Sequence, residues 1–284
     1  SNRDNSVMQQ VQCIDSLEAW QRDRADFDHL AGDYFTRRFA WLSAWWEAYR
    51  NDATELCILK VTEGHETIGF FPLFIDRAAD AIHLHLLGSG KACSDDIGLY
   101  AKSTYERAVA ESCIHWLYEA GASGKWDRLI LEGVRNDCVA MQELLRSLRN
   151  AFEASLFEQI DQPCLIATLK PTLKEYLDSI ESSSQRKLLR KIVREEVDAP
   201  DTKARIATTL QEAHQDLLHV SDLHRARWVS KGEAGCTASV GFSDFLDRAC
   251  AKLLEDQQWF SIIIQMKGQL AAGAIGAISA NRLS

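Results

Sequence analysis

Three acidic residues and two basic clusters are where this chain could do chemistry. Asp95 and Asp96 follow the Gly/Ser segment GSGKACS, and Glu132 ends the apolar run LILE. A carboxylate held beside an amine or hydroxyl can orient it and take its proton. An Asp pair after such a loop can equally cap a turn and stay solvated. Glu132, if part of a buried strand, needs an arginine or a substrate amine as partner, because a lone buried charge is costly; it can equally stand exposed at the strand's end. Arg186, Lys187, Arg190, Lys191 and Arg194 line up in rows at i, i+4 on one helix. That face suits an anion such as a phosphate, a carboxylate or an RNA backbone. Its bland reading is the solvated side of an amphipathic helix, since Glu195 and Glu196 follow directly. His224 and Trp228 share a helix face, with Arg227 adjacent and Lys231 just beyond. A Trp among cations can seat a sugar or acyl acceptor; cations at a helix C-terminus also simply complement its dipole.

Other chemistries are disfavoured. GSGK at 88–91 lacks the earlier glycine of a phosphate loop, having His85 there, and Ala92 stands where Ser or Thr is required. It reads as a flexible loop lining a cleft. The eight cysteines are scattered, without CxxC or Cys/His ligand spacing, so no metal is expected and a reducing, cytoplasmic setting is. His83 and His85 share a strand face without acidic company and read as structural, and the aromatics Trp41, Trp45, Trp46 and Tyr49 read as core. A formal net charge of −9 argues against DNA as a partner. The first twelve residues have no apolar stretch of a signal peptide. The apolar segment 270–280 is too short to span a bilayer.

Positioning these side chains falls to a regular alternation of elements. Strands are expected at 11–16, 55–62, 67–76, 81–87, 97–101, a buried one at 128–134, and another at 164–169. Helices are expected at 17–30 with Ser16 as cap, at 38–50, 105–120 and 139–152. The break Lys170-Pro171-Thr172 divides a domain 1–170 from a domain 171–284. The second begins with helices at 173–180 and 184–197, then a strand at 204–209, a helix at 211–229 and a loop at 231–241.

One unit is used twice. Residues 39–74 and 242–278 each read as amphipathic helix, strand, Gly-containing turn and strand. In both, a turn glycine precedes a strand glycine by five residues: Gly64 and Gly69, Gly268 and Gly273. The fold class expected is α/β (α+β), with mixed sheets in two related halves.

Four stretches carry a family likeness: FAWLSAWWEAY, GFFPLFI, LLGSGKACSDDIGL, and SSSQRKLLRKIVRE with the later RARWVSKG. Together they resemble the GNAT acyltransferase superfamily, and most closely its CelD-type (BioF-like) members with tandem GNAT-like halves, related to the FemAB/FemX transferases. Asp96-Ile97 replaces the family's Asp-Tyr. The resemblance implies an acyl-CoA (acetyl-CoA) co-substrate, no metal, and N- or O-acyl transfer to a small-molecule, sugar or other envelope or polysaccharide precursor. It implies that the second copy is the active one, with the acyl-CoA pyrophosphate on a Gly-rich turn opening a helix. Here that turn would lie past Ser284, so the sequence reads as part of a longer protein whose last strand has an open edge able to pair two copies. Two alternatives stay open: a FemX-like transferase using aminoacyl-tRNA, and an inert binding module of a polysaccharide system. Expected catalytic residues are Asp95, Asp96 and Glu132; expected acceptor-binding residues are Arg186, Lys187, Arg190, His224, Trp228 and Lys231.

Overall fold

A computed structural model describes residues 9–77, 80–90, 92, 94–152, 157–159, 166–233, 235, 239–280 and 282–283. Two sheets carry the chain. The first runs in the order β1 (Gln9–Ile14), β2 (Thr54–Glu63), β3 (Glu66–Asp76), β4 (His83–Leu86), β6 (Arg128–Ile130), with β5 (Tyr100–Ala101) paired to the other end of β3. All its pairings are antiparallel except β4 with β6. The second runs β7 (Thr202–Ile206), β8 (Trp259–Met266), β9 (Gln269–Ser279), β10 (Arg282–Leu283), antiparallel throughout.

The expected helix at 17–30 is two, α1 (Leu17–Arg22) and α2 (Arg24–Ala31). Ser16 caps α1 by accepting from the Ala19 amide, and Asp23 breaks the run at ψ 7°. The Asp23 carboxylate takes the Lys60 ammonium of β2 at 2.7 Å, tying the break to the sheet. Next comes α3 (Phe39–Tyr49), whose first free amide, Phe39 N, donates to Asp28 at 2.7 Å. Every residue from Phe39 to Trp46 is buried, so this helix is enclosed on all sides and is not the amphipathic one expected.

Its second cover is α9 (Val240–Glu255), from the other half. Phe245 places its ring 4.6 Å edge-on to Trp41, and Phe245, Ala249 and Leu253 share one continuous core with Trp41, Trp45, Leu59 and Phe71. Lys252 reaches Glu47 at 3.2 Å, and Arg24 pairs with Asp256. The division at 170–172 thus separates two sheets while the core runs across both.

The repeat is visible in the topology. Strand β1, helices α1 to α3, then β2-β3-β4 are matched by β7, α8 (Leu210–Val229), α9, then β8-β9-β10. Each hairpin carries a β-bulge at the same distance from its turn, between Val61 and Thr62 and between Ile264 and Gln265. The glycine correspondence is nevertheless off by one. The pair Glu63–Glu66 closes the turn Gly64-His65, and Met266–Gln269 closes Lys267-Gly268, so Gly64 is the first loop residue and Gly268 the second. In the second turn both loop residues are left-handed, at φ 52° and 75°, whereas in the first Gly64 alone supplies positive φ, at 60°. Counting from the bulges, Gly69 matches Ala272, and Gly273 matches Phe70. Each glycine makes room for a different helix. A Cβ on Gly69 would sit 2.4 Å from Val109 of α4 (Glu106–Ala122), and one on Gly273 would sit 2.8 Å from Val220 of α8. The ring of Phe70 faces Phe27 of α2.

Three strand expectations shrink. Residues 97–101 yield only β5, because Gly98 at φ 153° lies against Met141 of α5 (Val139–Phe152) and Leu99 N donates to the Met141 sulfur. Strand 128–134 ends at Ile130 and is half-exposed rather than buried, since β4 offers only three partners. Of the strand at 164–169, residues 164 and 165 lie outside the described residues and 166–169 form no regular element. Helices α6 (Leu173–Asp178, capped by Thr172) and α7 (Ser183–Ile192) follow, α7 continuing through a wider π turn, Val193–Val197.

Candidate functional site

Where a flexible loop is expected after β4, Ser94 and Asp95 are held by side chains from earlier in the chain. Ser94 is buried and accepts from Trp41 Nε1 at 2.8 Å, and Thr36 donates to the Asp95 carbonyl at 2.7 Å. A Cβ on Gly88 would meet Leu42 at 2.6 Å, so this position packs directly on α3. Lys91 and Cys93 lie outside the described residues. The loop after β6 is pressed against it, Gly133 leaving 2.7 Å between a built Cβ and the Ser94 carbonyl.

This packing holds Asp96 in the left-handed region, at φ 65°, with its side chain mostly buried. Two arginines converge on it: Arg135 from the β6–α5 loop at 3.5 Å and Arg282 from β10 at 3.3 Å. Both guanidiniums also lie over the ring of Tyr34, at 5.2 and 4.4 Å, and Arg135 donates to the Tyr34 hydroxyl. A third, Arg37, sits 5.7 Å from Tyr34 and 4.2 Å from the ring of Tyr100. Its Nε is buried and finds no acceptor among the described residues, while the buried Tyr100 hydroxyl donates to the Arg37 carbonyl. Burial pushes the Asp96 carboxyl above its ordinary range, outweighing the opposing pull of Arg135 and Arg282. Arg135 is held charged chiefly by Asp137. Three cations thus gather around one tyrosine and one desolvated carboxylate, with Arg282 coming from the second half and the others from the first.

Of the three carboxylates expected to be catalytic, only Asp96 belongs to this cluster. Asp95 is exposed and held through its carbonyl. Glu132 is exposed in the loop past β6; the buried strand expected to carry it stops two residues earlier.

The basic helix is largely paired internally. Arg186 donates to the Ile180 carbonyl at 2.8 Å, Arg190 pairs with Asp178, and Arg194 with Glu195 at 2.7 Å. Lys187 is exposed, as are Leu188 and Ile192 on the apolar side of α7. The buried stripe of α8, Ala213 and Leu217, continues along the same face to His224 and Trp228. Their rings are 5.7 Å apart, Lys231 lies 5.0 Å over Trp228, and the backbone of Gly235 closes against both. His224, Trp228 and Lys231 therefore form one shelf. It stands on α8, a different element from those holding Asp96. His85 stacks on Phe74 at 5.2 Å and is structural; burial and His83 lower its proton affinity. Among the described residues no cluster of three His, Cys, Asp or Glu could hold a metal, and no helix is long and apolar enough to cross a membrane.

Tyr34, Arg37, Arg135 and Arg282 were not legible as a site. Tyr34 and Arg37 are three residues apart but Arg135 and Arg282 are far along the sequence, and only chain folding converges them.

Comparison with known proteins agrees with this architecture. Residues 183–284 match the family model described as an acetyltransferase (GNAT) domain. The crystal structure of FemX aligns with a TM-score of 0.58 at 13% identity, over 86% of this chain and 56% of FemX. A conserved protein of unknown function from Bacteroides thetaiotaomicron gives 0.48 at 14% identity, over 94% and 75%. A tandem GNAT protein from the clavulanic acid biosynthesis pathway gives 0.32 at 9%, over 96% and 76%. No curated protein matches the chain. The second half of the chain is thus similar to a GNAT-type acetyltransferase domain, and the chain shares the fold of FemX, of which it spans a little over half the length.

Proposed function

We propose that the protein transfers an acyl group from acyl-CoA to the amine or hydroxyl of an anionic sugar, amino sugar or related envelope or polysaccharide precursor. The observation supporting this is the Tyr34–Arg37–Asp96–Arg135–Arg282 cluster, which joins a desolvated carboxylate to three cations on a face contributed by both halves. In this reading Arg37, Arg135 and Arg282 hold the acceptor's phosphate or carboxylate, and the Asp96 carboxylate takes the proton of the attacking group. Its raised proton affinity moves it toward the range a base needs. The acceptor's nitrogen or oxygen attacks the thioester carbonyl. A C–N or C–O bond forms, the C–S bond breaks and CoA leaves as its thiol. The Trp228 shelf with Lys231 is a second acceptor contact in this scheme.

Acyl-CoA is assigned to the second half. In the first half, β4 and β6 lie side by side through His83–Arg128 and its neighbours, and the turn after β4 is filled by Leu42 and Ser94. Two domains, 1–170 and 171–284, remain the working division of labour.

The test is CoA release from acetyl-CoA with matched neutral and phosphorylated amino sugars. Phosphorylated acceptors should be preferred, and Arg135→Lys should raise their KM about tenfold with little change in kcat, because the charge is kept while the guanidinium's fork of donors is lost. Equal use of neutral acceptors would remove the assignment. A second reading, transfer from aminoacyl-tRNA, draws on exposed Lys187 and its basic helix; it requires tRNA binding that weakens steeply with salt. Absence of thermal stabilisation by acetyl-CoA would instead favour an inert binding module.

A further inference from the structure

Cys13 and Cys57 lie 44 residues apart, yet their sulfurs are 3.5 Å from each other. The register explains this: Cys13 of β1 stands opposite Leu59 of β2, so Cys57 is the diagonal neighbour on the same face of the antiparallel pair. Cys13 is exposed on the sheet's edge strand, and Cys57 is buried beneath it. Diagonal neighbours stand farther apart than directly opposite pairs, so closing the gap from 3.5 Å to a bond takes a local shift of the edge strand β1 as well as side-chain rotation.

Among the described cysteines Cys13 alone is exposed. Cys113 is fully buried on α4 and Cys250 is buried on α9, where burial pushes its thiol up to about 12. Around Cys13, the hydrogen bond shared with Cys57 and the charge of Lys125 favour its thiolate, outweighing burial and Asp15. That same hydrogen bond, with burial and Glu55, keeps the Cys57 proton in place. The pair therefore has an attacking member at the surface and a second thiol directly behind it, the arrangement of an oxidisable dithiol.

We propose that Cys13 and Cys57 form a peroxide-oxidisable dithiol that closes to a disulfide between β1 and β2. In the first step the Cys13 thiolate attacks the distal oxygen of a hydroperoxide. The O–O bond breaks, an S–O bond forms, and the released alkoxide or hydroxide takes a proton. In the second, the Cys57 sulfur attacks Cys13 Sγ and an S–S bond forms. The S–O bond breaks, and hydroxide leaves as water with the Cys57 proton. Overall two thiols lose two electrons and two protons, and the hydroperoxide becomes an alcohol and water. A dithiol reductant reverses it.

The test treats the reduced chain with hydrogen peroxide, then blocks remaining thiols and maps cross-linked peptides. The expected result is loss of two titratable thiols, a mass decrease of about two hydrogens, and a peptide joining Cys13 to Cys57. Cys57→Ser should stop at a sulfenic acid on Cys13 that dimedone traps, and Cys13→Ser should abolish the link. Because Cys57→Ser could perturb folding, the parent chain supplies a second measurement: linkage in native buffer against linkage in urea. A Cys13–Cys57 link that dominates only in native buffer supports the pair. Oxidation of Cys13 to sulfinic acid without the link, or cross-links of equal yield among other cysteines, overturns it. Neither result depends on the transferase reading.

Discussion

Replacing Arg205 by Met should destabilise the protein by about 3 kcal/mol. The target is Asp216 of α8, whose side chain is 0% exposed and is paired with Arg205 of β7, itself 41% exposed. The second carboxylate oxygen accepts from Ser261 Oγ at 2.7 Å, and that oxygen accepts from Trp259 Nε1 at 3.1 Å. Without Arg205 the buried charge keeps one hydroxyl. Breaking a buried ion pair from one side costs about 3–5 kcal/mol, and the partial exposure of Arg205 lets water replace some of it, so the low end applies. For a chain of this size that is a fall in melting temperature of roughly 6–12 °C, read by circular dichroism and confirmed by urea titration. The double variant Arg205→Met/Asp216→Leu removes the charge as well as its partner and should recover at least half of the loss. A single variant melting within about 2 °C of the parent, or a double variant worse than the single, would refute the reasoning. The network matters beyond stability, because it anchors the helix that presents His224 and Trp228.

Gly69→Ala should cost about 2 kcal/mol by overpacking, since the new Cβ meets the Tyr100 carbonyl at 2.8 Å as well as Val109. Gly273→Ala should cost less, because its nearest neighbours are the movable ends of Val220 and Ile263; parallel thermal melts decide the order. The Asp96 carboxyl is raised in the folded chain by burial, so its stabilising contribution is complete below the unfolded value of about 3.9 and lost as pH rises through the folded value. Melting temperatures of the parent and Asp96→Asn should therefore diverge in the parent's favour toward low pH; a parent that gains on the variant as pH rises contradicts this. Glu132→Gln, exposed and outside the cluster, should leave acceptor kcat/KM within about twofold of the parent in the CoA-release assay.

Local pattern was legible wherever one chain segment specifies its own state. Alternating apolar residues bounded by Gly64-His65 and Lys267-Gly268 sufficed to place both hairpins, and hydroxyl caps placed the starts of α1 and α6. The duplication followed from the order of those elements. Its register did not: glycine spacing matched while the turn types differed, and only strand pairing shows that Gly69 and Gly273 receive different helices.

What the tertiary structure alone decided is which charges meet. Arg186 and Arg190 looked like an open basic row, but the end of α6 and the turn after it take both, the Ile180 carbonyl accepting from Arg186 and the Asp178 carboxylate pairing with Arg190. Glu132 could be read as buried or as exposed at a strand end, and a three-residue pairing with β4 leaves it in solvent. Asp96 acquired Arg135, Arg282 and Tyr34, and Cys13 acquired Cys57, through contacts between segments far apart in the chain. Secondary structure depends on neighbours a few residues away, which a sequence displays directly. A site depends on long-range closure, and its partners are set by strand register and loop packing that no local spacing encodes.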